Sequence, residues 1–221
     1  MRLKRLGGVA AIALLATMGS ASAFVIDTFT TSPLENLGTG TANSRQSIGQ
    51  PFTVGAETFT WSGGSPLSGV YAGNMGSVAA SPFGAGDSTS NYLLAGGSGG
   101  TVTVSFTSPQ TGIELLWSTV DSGTVRNVLT ADGQMITGDD IIAACIAQGH
   151  PSCAGMNVEV EITGLTPFTS YTVSDGSAGS FEFVPGTPVP EPASLATLGA
   201  ALAGLGILRR RNPGSRRLVH P

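Results

Sequence analysis

Basic side chains are nearly missing from the middle of this 221-residue chain. Lys4 is the only lysine, and between residues 24 and 189 the only cations besides histidine are Arg45 and Arg126. Thirteen of the fourteen acidic residues lie in that same stretch, which gives it a net charge of −11 against two arginines. A body this acidic offers no electrostatic footing for nucleic acid or an anionic membrane surface. It suits a chain that stays soluble and repels its neighbours, or one that attracts divalent cations. Histidine is as scarce, and only His150 lies outside the tail, which leaves few partners for hydrolytic chemistry.

Cysteine is limited to Cys145 and Cys153. Two cysteines exclude a disulfide-dense scaffold and a four-thiolate zinc site. In an exported chain an even count implies one disulfide closing a short loop. Cys145, His150 and Cys153 also form a three-ligand zinc alternative. It lacks a fourth ligand and needs reduced thiolates, so no metal site is expected. Aromatics make up 6% of the chain, so a core claims most of them.

Long apolar runs occur only near the two ends. Met1-Arg-Leu-Lys-Arg5 precedes an uncharged run from Leu6 to Met18, then Gly-Ser-Ala21-Ser-Ala23. This pattern reads as a secretory signal peptide over 1–23, with Ala21 and Ala23 at the cleavage site, rather than as an anchored first helix. The second run, Ala193 to Leu208, is 16 residues without a charge, followed by Arg209, Arg210 and Arg211. As a helix it spans roughly 24 Å, short of a ~30 Å hydrocarbon core, so it reads as a marginal single transmembrane helix over 193–208. The arginines and the tail at 212–221 are expected on the cytoplasmic side. A Pro-rich linker, 185–189, sets this segment apart from an exported domain at 24–184 and argues against a buried core helix with a basic tail.

Val189-Pro190-Glu191-Pro192, then a short Ala/Gly/Leu helix, then Arg209–Arg211, resembles the PEP-CTERM sorting signal of Gram-negative bacteria. The resemblance implies an exosortase as partner and processing near the motif at 190–211. It further implies transient anchoring in the inner membrane, then transfer to the cell surface or an exopolysaccharide-rich matrix. Residues 212–221 continue past the usual arginine stop.

Between the ends the chain reads as mainly β: an antiparallel β-sandwich, jelly-roll-like, with one short helix. Alternation points Val102, Val104 and Phe106 one way, and Ile113, Leu115 and Trp117 one way. It points Val158, Val160 and Ile162 inward with Glu159 and Glu161 outward, and repeats at Phe181 and Phe183. Shorter candidates are Val25–Thr30, Glu57–Ser62, Asn91–Ala95, Val125–Ala131 and Tyr171–Ser174. Thr137-Gly-Asp-Asp140 has capping-box spacing, so a helix is expected from Asp139 to Gln148, stopped by Gly149, with Ile142 and Ile146 toward the sheet.

Gly112 to Ile141 is also similar to a segment of one group of exosortase-dependent surface proteins. In that group Leu-x-Trp-Gly-Ser-x-Asp precedes Asn-x-Leu, a Gly turn, and a Thr-Gly-acidic helix start. The matching positions are Leu115, Trp117, Ser118, Asp121, Asn127, Leu129, Gly133, Thr137, Gly138 and Asp139. The Gly after the Trp is missing, and Asp121 sits one place further on.

No catalytic constellation stands out. Gly96-Gly-Ser98-Gly-Gly100 spells a serine-hydrolase elbow but precedes a strand pattern where the elbow needs a helix, so it reads as a turn. Glu159 and Glu161 lie roughly 6–7 Å apart as alternate strand residues, and read as a solvated face. Asp121, Asp132, Asp139 and Asp140 are the residues that a calcium reading would use, though turns and caps explain each. Trp61, Tyr71, Tyr92 and Trp117 are the candidates for sugar stacking, with Trp61 the best placed for exposure and Trp117 assigned to the core.

The expected role is therefore a non-enzymatic structural or adhesive domain without a cofactor. A carbohydrate- or calcium-binding module of the same fold is the alternative, and a secreted hydrolase ranks last.

Overall fold

The computed structural model describes residues 24–190 except 31–32, 49, 64–66, 98, 124–125 and 177–178. The expected signal peptide, the 193–208 helix and the tail lie outside the described residues. Within them no helix is long and apolar enough to cross a membrane.

The described residues form thirteen strands and one helix. In order these are β1 (Val25–Thr28), β2 (Ser44–Ile48), β3 (Phe52–Val54), β4 (Glu57–Ser62), β5 (Gly69–Ala72), β6 (Asn91–Gly96) and β7 (Thr101–Trp117). Then follow β8 (Val128–Ala131), β9 (Gln134–Ile136), α1 (Gly138–Ala147), β10 (Val158–Thr163), β11 (Phe168–Ser174), β12 (Ser180–Pro185) and β13 (Val189–Pro190). The pairings are antiparallel and fall into two sheets joined by β7. One sheet runs β1-β10-β7-β12-β6-β5-β2, using Ile113–Trp117 of β7. The other runs β3-β4-β7-β11-β8-β9, using Thr101–Phe106 and Gln110.

β7 is thus the spine of the molecule. The expected break between Phe106 and Gly112 does not occur, and the strand continues for 17 residues. Pro109 cannot donate to a ladder, but it sits exposed in a bulge of β7, where the stretch from Ser105 to Gln110 faces only Phe168 to Ser170 of β11. Pro109 has no β11 partner there, so the strand need not end at it.

One hydrophobic core draws on both sheets. Val102 and Val104 of β7 are buried, as are Val158, Val160 and Ile162 of β10 and Phe181 and Phe183 of β12. Trp117 packs on Phe181 with ring centroids 4.6 Å apart.

Helix α1 starts as its cap spelling dictates. Thr137 is the N-cap; its N–H donates to Asp140 Oδ2 at 2.8 Å, and Asp140 N–H donates to Thr137 Oγ1 at 3.4 Å. Of the two isoleucines expected toward the sheet, Ile142 packs half-buried against the core, whereas Ile146 is 56% exposed; Ile141 and Cys145 are the residues fully buried. The disulfide to Cys153 sets this rotation, because it ties Cys145 inward. Gly138 also has no room for a side chain: a Cβ there would stand 1.8 Å from the carbonyl oxygen of Asp121.

Candidate functional site

The start of the expected sorting signal is part of the sheet. β12 pairs with Leu115–Trp117 of β7, and the chain continues down the same strand. Gly186 N–H donates to Glu114 O at 2.6 Å; Val189 then pairs with Gly112, and Pro190 with Gln110. Gln110 has Phe168 of β11 as its other partner, so β13 lies on the opposite side of β7 from β11. That is the side of β4, which pairs with Thr101–Phe106. β13 therefore fills the gap along β7 between β4 and β12. A second segment grips from outside: Glu35 N–H donates to Pro185 O at 2.8 Å, and Thr187 N–H to Pro33 O at 3.1 Å. Residues 185–190, expected to stand apart from the domain, run along its spine. Glu191, Pro192 and Arg209–Arg211 lie outside the described residues, as do Ala21 and Ala23.

Glu57 lies under this segment. It is 1% exposed, and its Oε2 has no hydrogen-bond partner. It lines a cavity of about 10 Å³ together with Glu114, Tyr171, Gly186, Thr187 and Pro188. The space holds one water at most, so the site is filled by the chain's own segment rather than shaped for a substrate. Burial, and then the nearby Glu35 carboxylate, push the Glu57 carboxyl up to about 8. Burial, with the charge of Glu57 second, also pushes the Tyr171 phenol well up.

Glu182 of β12 is the second buried glutamate. Alternation between Phe181 and Phe183 places it on the outward face, yet it is 4% exposed because residues 76–80 fold over that face. Its Oε1 accepts from Ala80 N at 3.1 Å and from Ser180 Oγ at 2.6 Å. Burial raises its carboxyl, while these bonds and that to its own backbone act in the opposite direction. Glu182 and Asp121 line an open polar cleft of about 230 Å³.

A larger groove, about 390 Å³, is lined by Phe29, Leu34, Phe83, Leu116, Asn157 and Glu159, among others. Phe29 is exposed and holds a positive φ of 57°, with its N–H donating to Glu159 O at 2.8 Å. Asn157 is fixed from three sides: it accepts from Ser118 Oγ and Thr119 N, and donates to Pro82 O. Phe83 falls in no strand pattern of the sequence, and Phe29 lies near the end of the Val25–Thr30 candidate, so neither stands out as a surface ring.

The aromatics chosen from sequence are elsewhere. Tyr71, Tyr92 and Trp117 are fully buried, and Trp61 is only half exposed and packs against the core. Trp61 is therefore not the free surface ring expected of it.

Cys145 and Cys153 form the expected disulfide, with Cα atoms 6.2 Å apart. Their sulfurs are thereby withdrawn from the zinc alternative, and the His150 ring instead packs on Phe29, centroids 4.3 Å apart. The four aspartates of the calcium reading are not brought together, and the described residues contain no cluster of three or more acidic, His or Cys side chains able to hold a metal. Asp139 accepts from Gly123 N, Asp140 caps α1, Asp132 occupies a turn at φ 48°, and Asp121 lines the cleft. Gly96 ends β6, Gly97, Gly99 and Gly100 lie between it and β7, and Ser98 lies outside the described residues. Glu161 faces Asp27 of β1 and Glu114 of β7 across the ladder.

Several residues of the Gly112–Ile141 resemblance have structural work. Leu115, Trp117 and Leu129 are core, and Asn127 donates from Nδ2 to Thr119 O at 3.0 Å while holding a φ of 47°. Gly138 admits the close approach of Asp121. These residues build the packed corner between β7 and α1.

No curated protein and no solved structure matches the chain. The family model for the PEP-CTERM protein-sorting motif matches residues 188–211. Its first residues are the ones found on β7. The chain is thus a β-rich protein bearing a PEP-CTERM sorting motif, the mark of an exported, exosortase-dependent protein sorted by way of the membrane.

Proposed function

We propose that this protein is delivered by exosortase processing to the cell surface or the extracellular matrix, where its β domain serves a non-catalytic structural or adhesive role. The observation that carries the reading is the sorting motif at 188–211, whose first residues include the last strand, β13. An acidic, lysine-free body supports it, since such a domain stays dispersed among anionic envelope polymers. The inner membrane is a transient station, and exopolysaccharide is the surrounding partner.

A second reading is a carbohydrate-binding module of the same fold. It is favoured by the groove between Phe29 and Phe83, where two exposed rings flank the amide of Asn157 and the carboxylate of Glu159. Exposed rings beside fixed polar groups suit the apolar faces and hydroxyls of a sugar.

The test is intact mass of the protein recovered outside wild-type cells and outside cells lacking exosortase. The expected product begins at Phe24, ends near Pro190, and disappears without the enzyme. A product running through Pro221, or release independent of the enzyme, would overturn the sorting reading. A glycan array with the released domain and its Phe29→Ala variant decides between the two roles. Binding lost in the variant selects the carbohydrate module.

A further inference from the structure

We propose that residues 186–190 are a releasable strap: β7 holds the start of the sorting motif as a strand over the buried Glu57 carboxyl, and the strap must leave β7 before exosortase can process the chain. The gating clause rests on the sorting reading above, whereas the docking clause rests on geometry alone.

The first argument is competition for backbone groups. Gly186 N–H is committed to Glu114, Thr187 N–H to Pro33, and Val189 and Pro190 to the ladder with Gly112 and Gln110. An enzyme that takes an extended peptide into its cleft pairs with the same groups. Each backbone donor serves one of these partners at a time. While the strap is docked, the residues preceding Glu191 are unavailable.

The second argument is that the hold is weak enough to release. Pro188 and Pro190 have no N–H, so Gly186, Thr187 and Val189 are the only donors in the strap. Gly186 sits so close to β7 that an added Cβ would meet Glu114 Cβ at 2.4 Å and Glu114 O at 2.9 Å. A single methyl group is enough to push the strap outward.

The third argument is what lies beneath. Glu57 belongs to β4, next to the strap along β7. The titratable groups around it are Glu35 from the outer segment, Glu114 from β7 and Tyr171 from β11. β3 contributes none. None of these is cationic, so an ionised Glu57 finds no counter-charge among them and is relieved by water. Lifting the strap admits that water. Burial raises the carboxyl from 4.5 to about 8 while the strap is closed, so opening becomes easier as pH rises from 4.5 to about 8 and levels off above that.

The test is amide hydrogen exchange on the full chain in detergent micelles, paired with processing in cells. Gly186→Ala is expected to speed exchange at 186–189 by about tenfold, the worth of one net hydrogen bond, while β6 and β10 stay protected. From pH 5 to 8, opening of the wild-type strap amides is expected to rise relative to that of Glu57→Gln, a comparison that cancels the intrinsic pH dependence of exchange, and to level off above pH 8. Cells with exosortase are expected to process Gly186→Ala faster than wild type.

Wild-type strap amides exchanging at free-peptide rates would overturn the docking. A Gly186→Ala strap that opens while its processing rate stays unchanged would overturn the gate. If Gly186→Ala strips protection from β6 as well, Glu57→Gln carries the test: equal opening to wild type at pH 9 overturns the role of Glu57. Release that continues in cells lacking exosortase defeats the sorting reading and the gate with it, and leaves the exchange result to decide the docking alone.

Discussion

Glu182, beneath residues 76–80, and Glu57, beneath residues 186–190, are the same residue at nearly the same depth, 4% and 1% exposed. The surroundings differ. Glu182 accepts from Ala80 N and Ser180 Oγ, so the fold supplies its carboxyl with donors. Glu57 has an oxygen with no partner and a like charge nearby in Glu35. A roof that donates hydrogen bonds is fastened by the carboxyl it covers. A strap that donates none to its carboxyl is strained by it once the proton leaves. The polypeptide closes both sites, but only the first closure is reinforced by charge.

The largest expected effect breaks this comparison through pH. Glu57 has a folded-state value raised from 4.5 to about 8. Below 4.5 both states carry the proton and nothing changes. Between 4.5 and about 8 the unfolded chain binds fewer protons than the folded one, so stability falls as pH rises and then levels off. The full difference is at most about 5 kcal/mol. Glu57→Gln is expected to remove most of this slope, measured by urea unfolding at pH 5 and pH 9. Glu182 and Asp175 are also raised by burial, so a smaller slope of the same sign remains. A variant with the wild-type slope would show that Glu57 is not the group responsible.

The second effect serves as a contrast, because it touches neither carboxylate. Replacing Cys145 and Cys153 together by serine opens the loop between them and is expected to cost about 2–3 kcal/mol. The loss should be equal at pH 5 and pH 9 in the same unfolding experiment. A pH-dependent loss would mean that the helix corner and the buried glutamates are coupled.

The smallest effect sharpens the comparison from the other side. Glu182→Ala leaves Ala80 N and Ser180 Oγ without their acceptor, and is expected to cost about 2 kcal/mol. Hydrogen exchange should rise at residues 77–80 and remain unchanged at 186–189. Opening at both places would show one cooperative unit rather than two separate closures.

Much of the strand pattern was legible because one face of those strands meets water. β10 alternates buried and half-buried residues along its whole length, and its sequence alternates with it. β4 was recognisable in the same way, and the Thr137–Asp140 cap by its local spacing. β5, Gly69–Ala72, was not legible: all four residues are buried, so no contrast between faces marks it. The continuity of β7 from Phe106 to Gly112 was not legible either, because a bulge against β11 carries Pro109 through the strand. The sorting motif was recognisable from its residues in order, whereas its docking on β7 was not, since Val189 and Pro190 pair with residues nearly eighty positions away.

What the sequence by itself determined is what depends on composition and short-range order. That comprises the acidic, lysine-poor body, the β-rich class, the helix cap, the cysteine pair and the tripartite sorting motif. Each follows from neighbours a few residues apart, or from counts. Only the tertiary structure decided that one strand spans both sheets, that α1 turns Ile141 rather than Ile146 inward, and that Glu57 and Glu182 lose their water. It alone laid the first residues of the sorting motif on β7. Burial and backbone pairing are set by segments that meet from far apart in the chain, and no local pattern records which distant segment will cover a given side chain.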